Sequence, residues 1–403
     1  MGTNNGEGQL STIKRILSEG FRIFFLSAGL YGVFIGLTWA TWLGTQSSFS
    51  ASVLNLSEPQ LWHAHEMTFG YAGAAIGGFF LTAVPNWTNT PAARIPFLSI
   101  AFSLWLAGRL AIWFSGAMPP ELVAIIDLAF IPFLALKIAS QLIKRPKPQN
   151  MMFLLILSLL WVGNLFVHLE WIGWTNDTAH NGLRGGLFAL CAMIVVLGGR
   201  VTPAFTRNAM KREGTAEADW PRSCKVSDHA SLILGLILPL TVFLHLPLFL
   251  SGLIACLLGA IQIIRLTRWR ARWAWHHPLL FSLHLGLSML GLGLLLWGAS
   301  IFGFGDEIAA LHVIGIGGIG GMTLAVMSRA SLGHSGQPLI APRPIVIAYG
   351  LLASTAIARW VIVWLNPTVY FPLMAAISML WALVFILFII SLWPALTQPR
   401  KTT

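Results

Sequence analysis

The sequence predicts an all-α, polytopic membrane protein, a single bundle of about twelve transmembrane helices with both termini cytoplasmic. Three observations predict it. The 403 residues are 56% hydrophobic and only 10% charged, where a soluble domain carries about 25% charged residues. Twelve stretches approach the roughly 20 apolar residues that a bilayer crossing needs. Numbering those stretches alternately outward and inward also places every Lys and Arg except Arg109, Arg184 and Arg359 on one side. Basic loops stay cytoplasmic, so that side is the inside, and one span more or fewer would scramble the pattern. The formal charge of +11 is thus a signal of topology. It does not argue for nucleic acid as a partner; the partner it implies is the lipid bilayer.

The spans follow in order. Residues 1–20 read as a polar lead-in, with no small-residue cleavage site after the first apolar stretch. Spans one to six cover 21–44, 62–86, 96–117, 121–143, 151–171 and 181–203. A charged inner linker, 204–228, separates them from spans seven to twelve at 229–246, 247–265, 278–301, 307–327, 344–365 and 370–393. Spans seven and eight are short and meet at "FLHLPLF". No extramembrane stretch is long enough for a second folded domain, so 1–403 is one transmembrane domain. Cys191, Cys224 and Cys256 form no CxxC or CxxCH, which argues against disulfides and covalent haem. Spans two and ten stand out by their glycines, Gly70, Gly73, Gly77 and Gly78 in one and Gly315, Gly317, Gly318, Gly320 and Gly321 in the other. Small residues permit close helix packing; the same faces would admit a flat macrocycle.

Span two opens with "WHAHEM", two histidines and a glutamate where ionisable groups are costly and point to function. His63 and His65 lie at its outer end, and His312 lies at similar depth in span ten. At 1.5 Å per residue all three fall within about 10 Å of the outer boundary. His168, Glu170, His180 and Arg184 share that layer. An inner group comprises His276, His277, His284 and His334, too distant to share a metal with the outer one. Residues two apart on a helix point about 200° apart, so His63 and His65 cannot grip one ion from an intact helix. They can serve two sites, one face carrying His63 with Glu66, Met67 and Gly70, the other His65 with Phe69 and Gly73. A lone interfacial histidine is usually a polar anchor, and His180, His245, His276 and His277 read that way. The outer trio suits haem, for which imidazole is a standard axial ligand, and also copper. Arg109, Arg184 and Arg359 each need a counter-charge at that depth. Asp127, Glu66, Glu170 or outward haem propionates would supply one.

Several stretches resemble the NnrS family. They are "WHAHEMTFGYAGAAIGGFFLTAVPNWT" in span two, "LAGRLA" around Arg109, "GGRVTPAFT" at 198–206, "HPLLFSLHLG" at 277–286 and "LHVIGIGGIGGMTLAVMSRASLGHSG" at 311–336. They keep their order over most of the chain. The resemblance implies a bacterial inner-membrane protein carrying haem and copper, associated with denitrification and resistance to nitric oxide. The layout is also distantly similar to the catalytic subunit of haem–copper oxidases, where helices two and ten hold a low-spin haem; His65 or His63, with His312, match those positions. The sequence departs from the oxidases elsewhere. Spans six and seven lack the histidine trio for copper, and "HVIG" supplies one histidine instead of two. Copper, if bound, would draw on the unused member of His63 and His65, with His284 and His334.

The expectation is therefore a non-covalent haem b ligated from spans two and ten, binding or turning over nitric oxide, with Glu66 as proton or hydrogen-bond partner. Arg109, Arg184 and Arg359 are the candidates for its propionates. A quinol or redox protein would donate electrons if nitric oxide is metabolised. A quinol-linked b-type cytochrome, or a haem or copper transporter, would use the same histidines.

Overall fold

The computed structural model describes residues 11–47 and 58–401; the first half of the polar lead-in lies outside the described residues. Among these, twelve helices are long and apolar enough to span a membrane, as the sequence predicts. They are Gly20–Gln46, Pro59–Thr88, Ile95–Trp113, Pro120–Leu142, Pro148–Trp171, Ala179–Arg212, Lys225–Phe243, Leu248–Arg268, Pro278–Ile301, Glu307–His334, Arg343–Trp364 and Pro367–Thr397. No strand occurs among the described residues.

Local chemistry sets the ends. Proline occupies the first turn of spans two, three, four, five, nine and eleven, where its missing N–H has no helical partner to lose. Span two stops at Asn89 in the left-handed conformation. Spans seven and eight are indeed separate, and His245 forms the left-handed turn between them. Span six runs nine residues past its expected end, through Pro203 to Arg212. The connection to span seven is correspondingly shorter than 204–228.

Span four is two helical pieces, Pro120–Leu128 and Phe130–Leu142, interrupted at Ala129. Pro132 explains the break: it has no N–H to give the carbonyl of Leu128, four residues earlier. The indole of Trp161 donates to that carbonyl instead, at 3.1 Å. The break leaves Asp127 at the lower end of the first piece, facing spans two, three and five.

Spans two and six are the most enclosed of the twelve. Span one lies along span twelve, its Gly29, Gly32 and Gly36 against Phe388, Phe385 and Trp381. Tyr71 of span two and Thr323 of span ten join hydroxyls at 2.6 Å. Spans two and ten, which carry the outer histidines, are thus tied together inside the bundle.

Candidate functional site

Span two is not a uniform helix. It is α-helical over Pro59–His65, widens into a π-helix over Glu66–Tyr71, and becomes α-helical again from Ala72. Span ten repeats the device: α-helix over Glu307–His312, π-helix over Val313–Gly320, then α-helix. In both spans the wide turns begin immediately after the histidines. Segments of π-helix concentrate at functional sites, and two of them abut the two histidine-bearing ends.

His63 and His65 do face apart. His63 turns toward spans one and ten. Its ring stacks on Trp39 at 4.3 Å and 12°, and lies nearly parallel to the His312 ring with centroids 6.4 Å apart. His312 Nδ1 donates to the carbonyl of Ile308 at 2.7 Å. Because a carbonyl only accepts, this bond places the proton on Nδ1 and leaves the Nε2 lone pair free in the neutral ring. Nδ1 of His63 is buried without a hydrogen-bond partner. Span eleven packs against span ten, and Nη1 of its Arg359 is also buried without a partner.

His65 turns the other way, into spans three, four and five, where its ring nitrogens and two carboxylates are all engaged, although Arg109 Nε is buried without a partner. Nδ1 meets Glu66 Oε1 at 2.8 Å, and Nε2 meets Asn164 Oδ1 at 2.8 Å and Asp127 Oδ2 at 3.3 Å. Arg109 bridges the two carboxylates, donating Nη1 to Glu66 Oε1 at 2.6 Å and Nη2 to Asp127 Oδ1. The Tyr31 hydroxyl donates to the other oxygen of Glu66. Asp127 Oδ2 also accepts from Asn164 Nδ2 at 2.8 Å and faces His168 Nε2 at 2.9 Å. His65, Glu66, Asp127, Asn164 and His168 are all at most 3% exposed, so this is a buried ionic network. One ligand atom each from His65, Asp127 and His168 lies within 4.8 Å of the others, a spacing at which one metal ion could touch all three.

Glycine makes room for the network. A Cβ on Gly70 would stand 2.6 Å from Arg109 Nη1 and 2.8 Å from the Tyr31 ring. Such contacts leave space only for hydrogen. The Gly70 carbonyl, inside the π segment, accepts from the Trp105 indole at 2.9 Å. In span ten, Gly317, Gly318, Gly320 and Gly321 pack against neighbouring helices, but a Cβ on Gly315 would meet nothing within 4 Å.

The site residues expected from sequence therefore separate. Glu66 lies with His65, not on the His63 face that helical spacing assigns it; its carboxylate swings to the guanidinium of Arg109. Arg109 finds both of its expected carboxylates. Arg184 pairs at 2.6 Å with Glu307, a partner that sequence reasoning missed. Glu170 instead caps the start of span six, accepting from the Ala179 N–H at 2.7 Å. His284, at the opposite end of the bundle, meets Thr206 Oγ1 at 3.1 Å, and His334 packs on Phe21. Neither belongs to the one three-ligand group found among the described residues. Tyr31, Trp39 and Asn164 were not anticipated. Asn164 and His168 stand four apart on span five and so share a face, a spacing that signals a polar stripe on an otherwise apolar helix.

The family model described as NnrS protein matches residues 15–400. The chain belongs to the NnrS family. No curated protein matches it. The match covers all twelve spans, so both histidine faces lie within the NnrS core. Membership agrees with a multi-pass membrane protein of the nitric-oxide response and with a capacity to hold metal. On the His65 side the donors could serve an ion; on the His63 side two imidazoles and a cation have spare valence.

Proposed function

We propose that this NnrS chain is a haem protein of the bacterial inner membrane that protects the cell against nitric oxide. Non-covalent haem b would be held in the outer half of the bundle by His63 and His312. The observation that carries this reading is the pairing of those rings at 6.4 Å, with a buried, unpartnered Arg359 nitrogen on span eleven, which packs against span ten. Two imidazoles on opposite sides of one ion, each with a metal–nitrogen bond of about 2 Å, place their centroids about 6 Å apart. The Nε2 of His312 is free for ligation, and the unpartnered guanidinium nitrogen of Arg359 suits an acidic propionate. Open space beside Gly315 gives a flat group an approach to the helix backbone.

Haem held there by both histidines would supply an iron that exchanges electrons, and one that binds nitric oxide if His63 or His312 gives up its place. The chain's own residues supply the rest. His312 keeps its tautomer through Ile308, Trp39 fixes the His63 ring, and the surrounding apolar helices exclude water. Nitric oxide is small, uncharged and lipid-soluble, so it needs no polar route to this depth. A quinol or redox protein would provide electrons for turnover. The basic segment following span six would then be cytoplasmic, with both termini.

An optical spectrum of the purified chain with acid–acetone extraction tests the cofactor. Deletion tests the role: cells should become sensitive to nitric oxide yet still respire in air. A colourless protein from haem-replete cells, or a deletion strain of unchanged sensitivity, would overturn the corresponding half. A reporter fused after Glu213 should be cytoplasmic; a periplasmic signal would reverse the orientation.

A further inference from the structure

On the far side of span two the ligand atoms are arranged for a cation. His65 Nδ1 faces a carboxylate oxygen of Glu66, which can only accept, so Nδ1 carries a proton. The neutral ring then presents a lone pair at Nε2. That lone pair looks at two further acceptors, Asn164 Oδ1 at 2.8 Å and Asp127 Oδ2 at 3.3 Å. The Asn164 amide cannot be turned to relieve the conflict, because its Nδ2 is committed to Asp127 Oδ2 at 2.8 Å. Acceptors that face one another in a water-poor interior require a positive charge between them. Glu66 and Asp127 against Arg109 leave one negative charge when the imidazoles are neutral, which either a proton on His65 Nε2 or a metal ion would offset.

We infer that His65, Asp127 and His168 form a second metal site, taking a divalent first-row transition ion. Two imidazoles and one carboxylate, with the Asn164 amide oxygen at hand, are nitrogen and oxygen donors of the kind zinc, copper(II) and iron(II) prefer, and no sulfur is present. A tetrahedral ion with bonds of about 2.0–2.1 Å holds its ligand atoms roughly 3.3 Å apart; Asp127 Oδ2 lies 2.9 Å from His168 Nε2 and 3.3 Å from His65 Nε2. The outer support is also that of a metal site. A ligating histidine typically gives its other N–H to a carboxylate that is itself held. Here Glu66 takes the Nδ1 proton and is fixed in turn by Arg109 and Tyr31. Arg109 binds Asp127 through Oδ1, and Oδ2, which accepts from Asn164 Nδ2, keeps a lone pair for the ion.

This site does not depend on haem at His63 and His312, and the test keeps the two apart. The full chain is produced in minimal medium with cobalt(II) as probe, then assayed for cobalt per chain and by X-ray absorption at the cobalt edge. About one cobalt per chain is expected, bound by nitrogen and oxygen only. His168→Gln should lower occupancy at least tenfold, and His168→Ala should do the same if it folds. His312→Ala, in span ten, should lose haem but keep cobalt. Wild-type protein that folds and takes up no cobalt would show that His65 holds only a proton, and the inference fails. Cobalt retained in full by His168→Gln would also overturn it. Haem absent with cobalt present would defeat the haem reading alone.

Discussion

The two faces of span two at "WHAHEM" make opposite use of the same residue type. Toward spans three, four and five, His65 is locked by Glu66, Asp127 and Asn164, and a guanidinium ties the carboxylates together. Toward spans one, ten and eleven, His63 and Arg359 keep buried nitrogens without partners. The first face ties two carboxylates to one guanidinium, stiffens the bundle and keeps one negative charge for a further cation. The second leaves polar capacity unspent, which is stable in a membrane only if something else fills it. Two positions along one helix therefore separate an ion-paired pocket from a face whose buried nitrogens lack protein partners.

The largest effect should come from breaking the ion-paired face. Arg109→Met removes the cation between Glu66 and Asp127 and leaves two carboxylates in the bundle interior, a loss of about 3–5 kcal/mol. Little folded protein should survive a thermal ramp in detergent. Arg359→Met is the contrast: it removes a cation whose Nη1 has no protein partner, so the haem-free protein should be at least as stable as wild type while haem content falls. Equal destabilisation by both variants would erase the distinction between the faces.

A smaller effect separates the glycines. Gly70→Ala would press a methyl group on Arg109, Tyr31 and Glu66, and overpacking of that kind costs about 1–3 kcal/mol. Gly315→Ala meets open space and should leave the thermal midpoint of haem-free protein unchanged. If the haem macrocycle approaches that backbone, its occupancy should drop in Gly315→Ala. The smallest change is Trp39→Leu, which removes a stacked ring from His63. A loss of about 0.5–1.5 kcal/mol should appear as weaker haem retention, with no effect on the Arg109 network.

Much of this was legible in the sequence, for identifiable reasons. The twelve spans follow from hydropathy and from the one-sided basic residues, both of which are averages over many positions. The divergence of His63 and His65 follows from helical periodicity, which the first α-helical turns obey. Glu66 broke the same rule, because a side chain with rotatable bonds follows its charge partner; Arg109 drew it toward His65. The π-helical turns after His65 and His312 were invisible, since nothing in "EMTFGY" or "VIGIGGIG" specifies a wider hydrogen-bond ring over an ordinary one. The Arg184–Glu307 pair joins spans six and ten, and hydropathy says nothing about which spans are neighbours. His284 and His334 were proposed as copper ligands from residue type alone, and the structure sets them apart from the outer cluster.

The central claim is that the unsatisfied face holds haem between His63 and His312. Reduced-minus-oxidised optical spectra of purified wild type, His312→Ala and His65→Ala test it most directly. The account predicts a b-type spectrum in wild type, lost or shifted to a different spin state in His312→Ala. His65→Ala should keep the ligation pattern in whatever fraction folds. A normal b-type spectrum in His312→Ala, with loss of haem in well-folded His65→Ala, would contradict the account and move the haem to the other face.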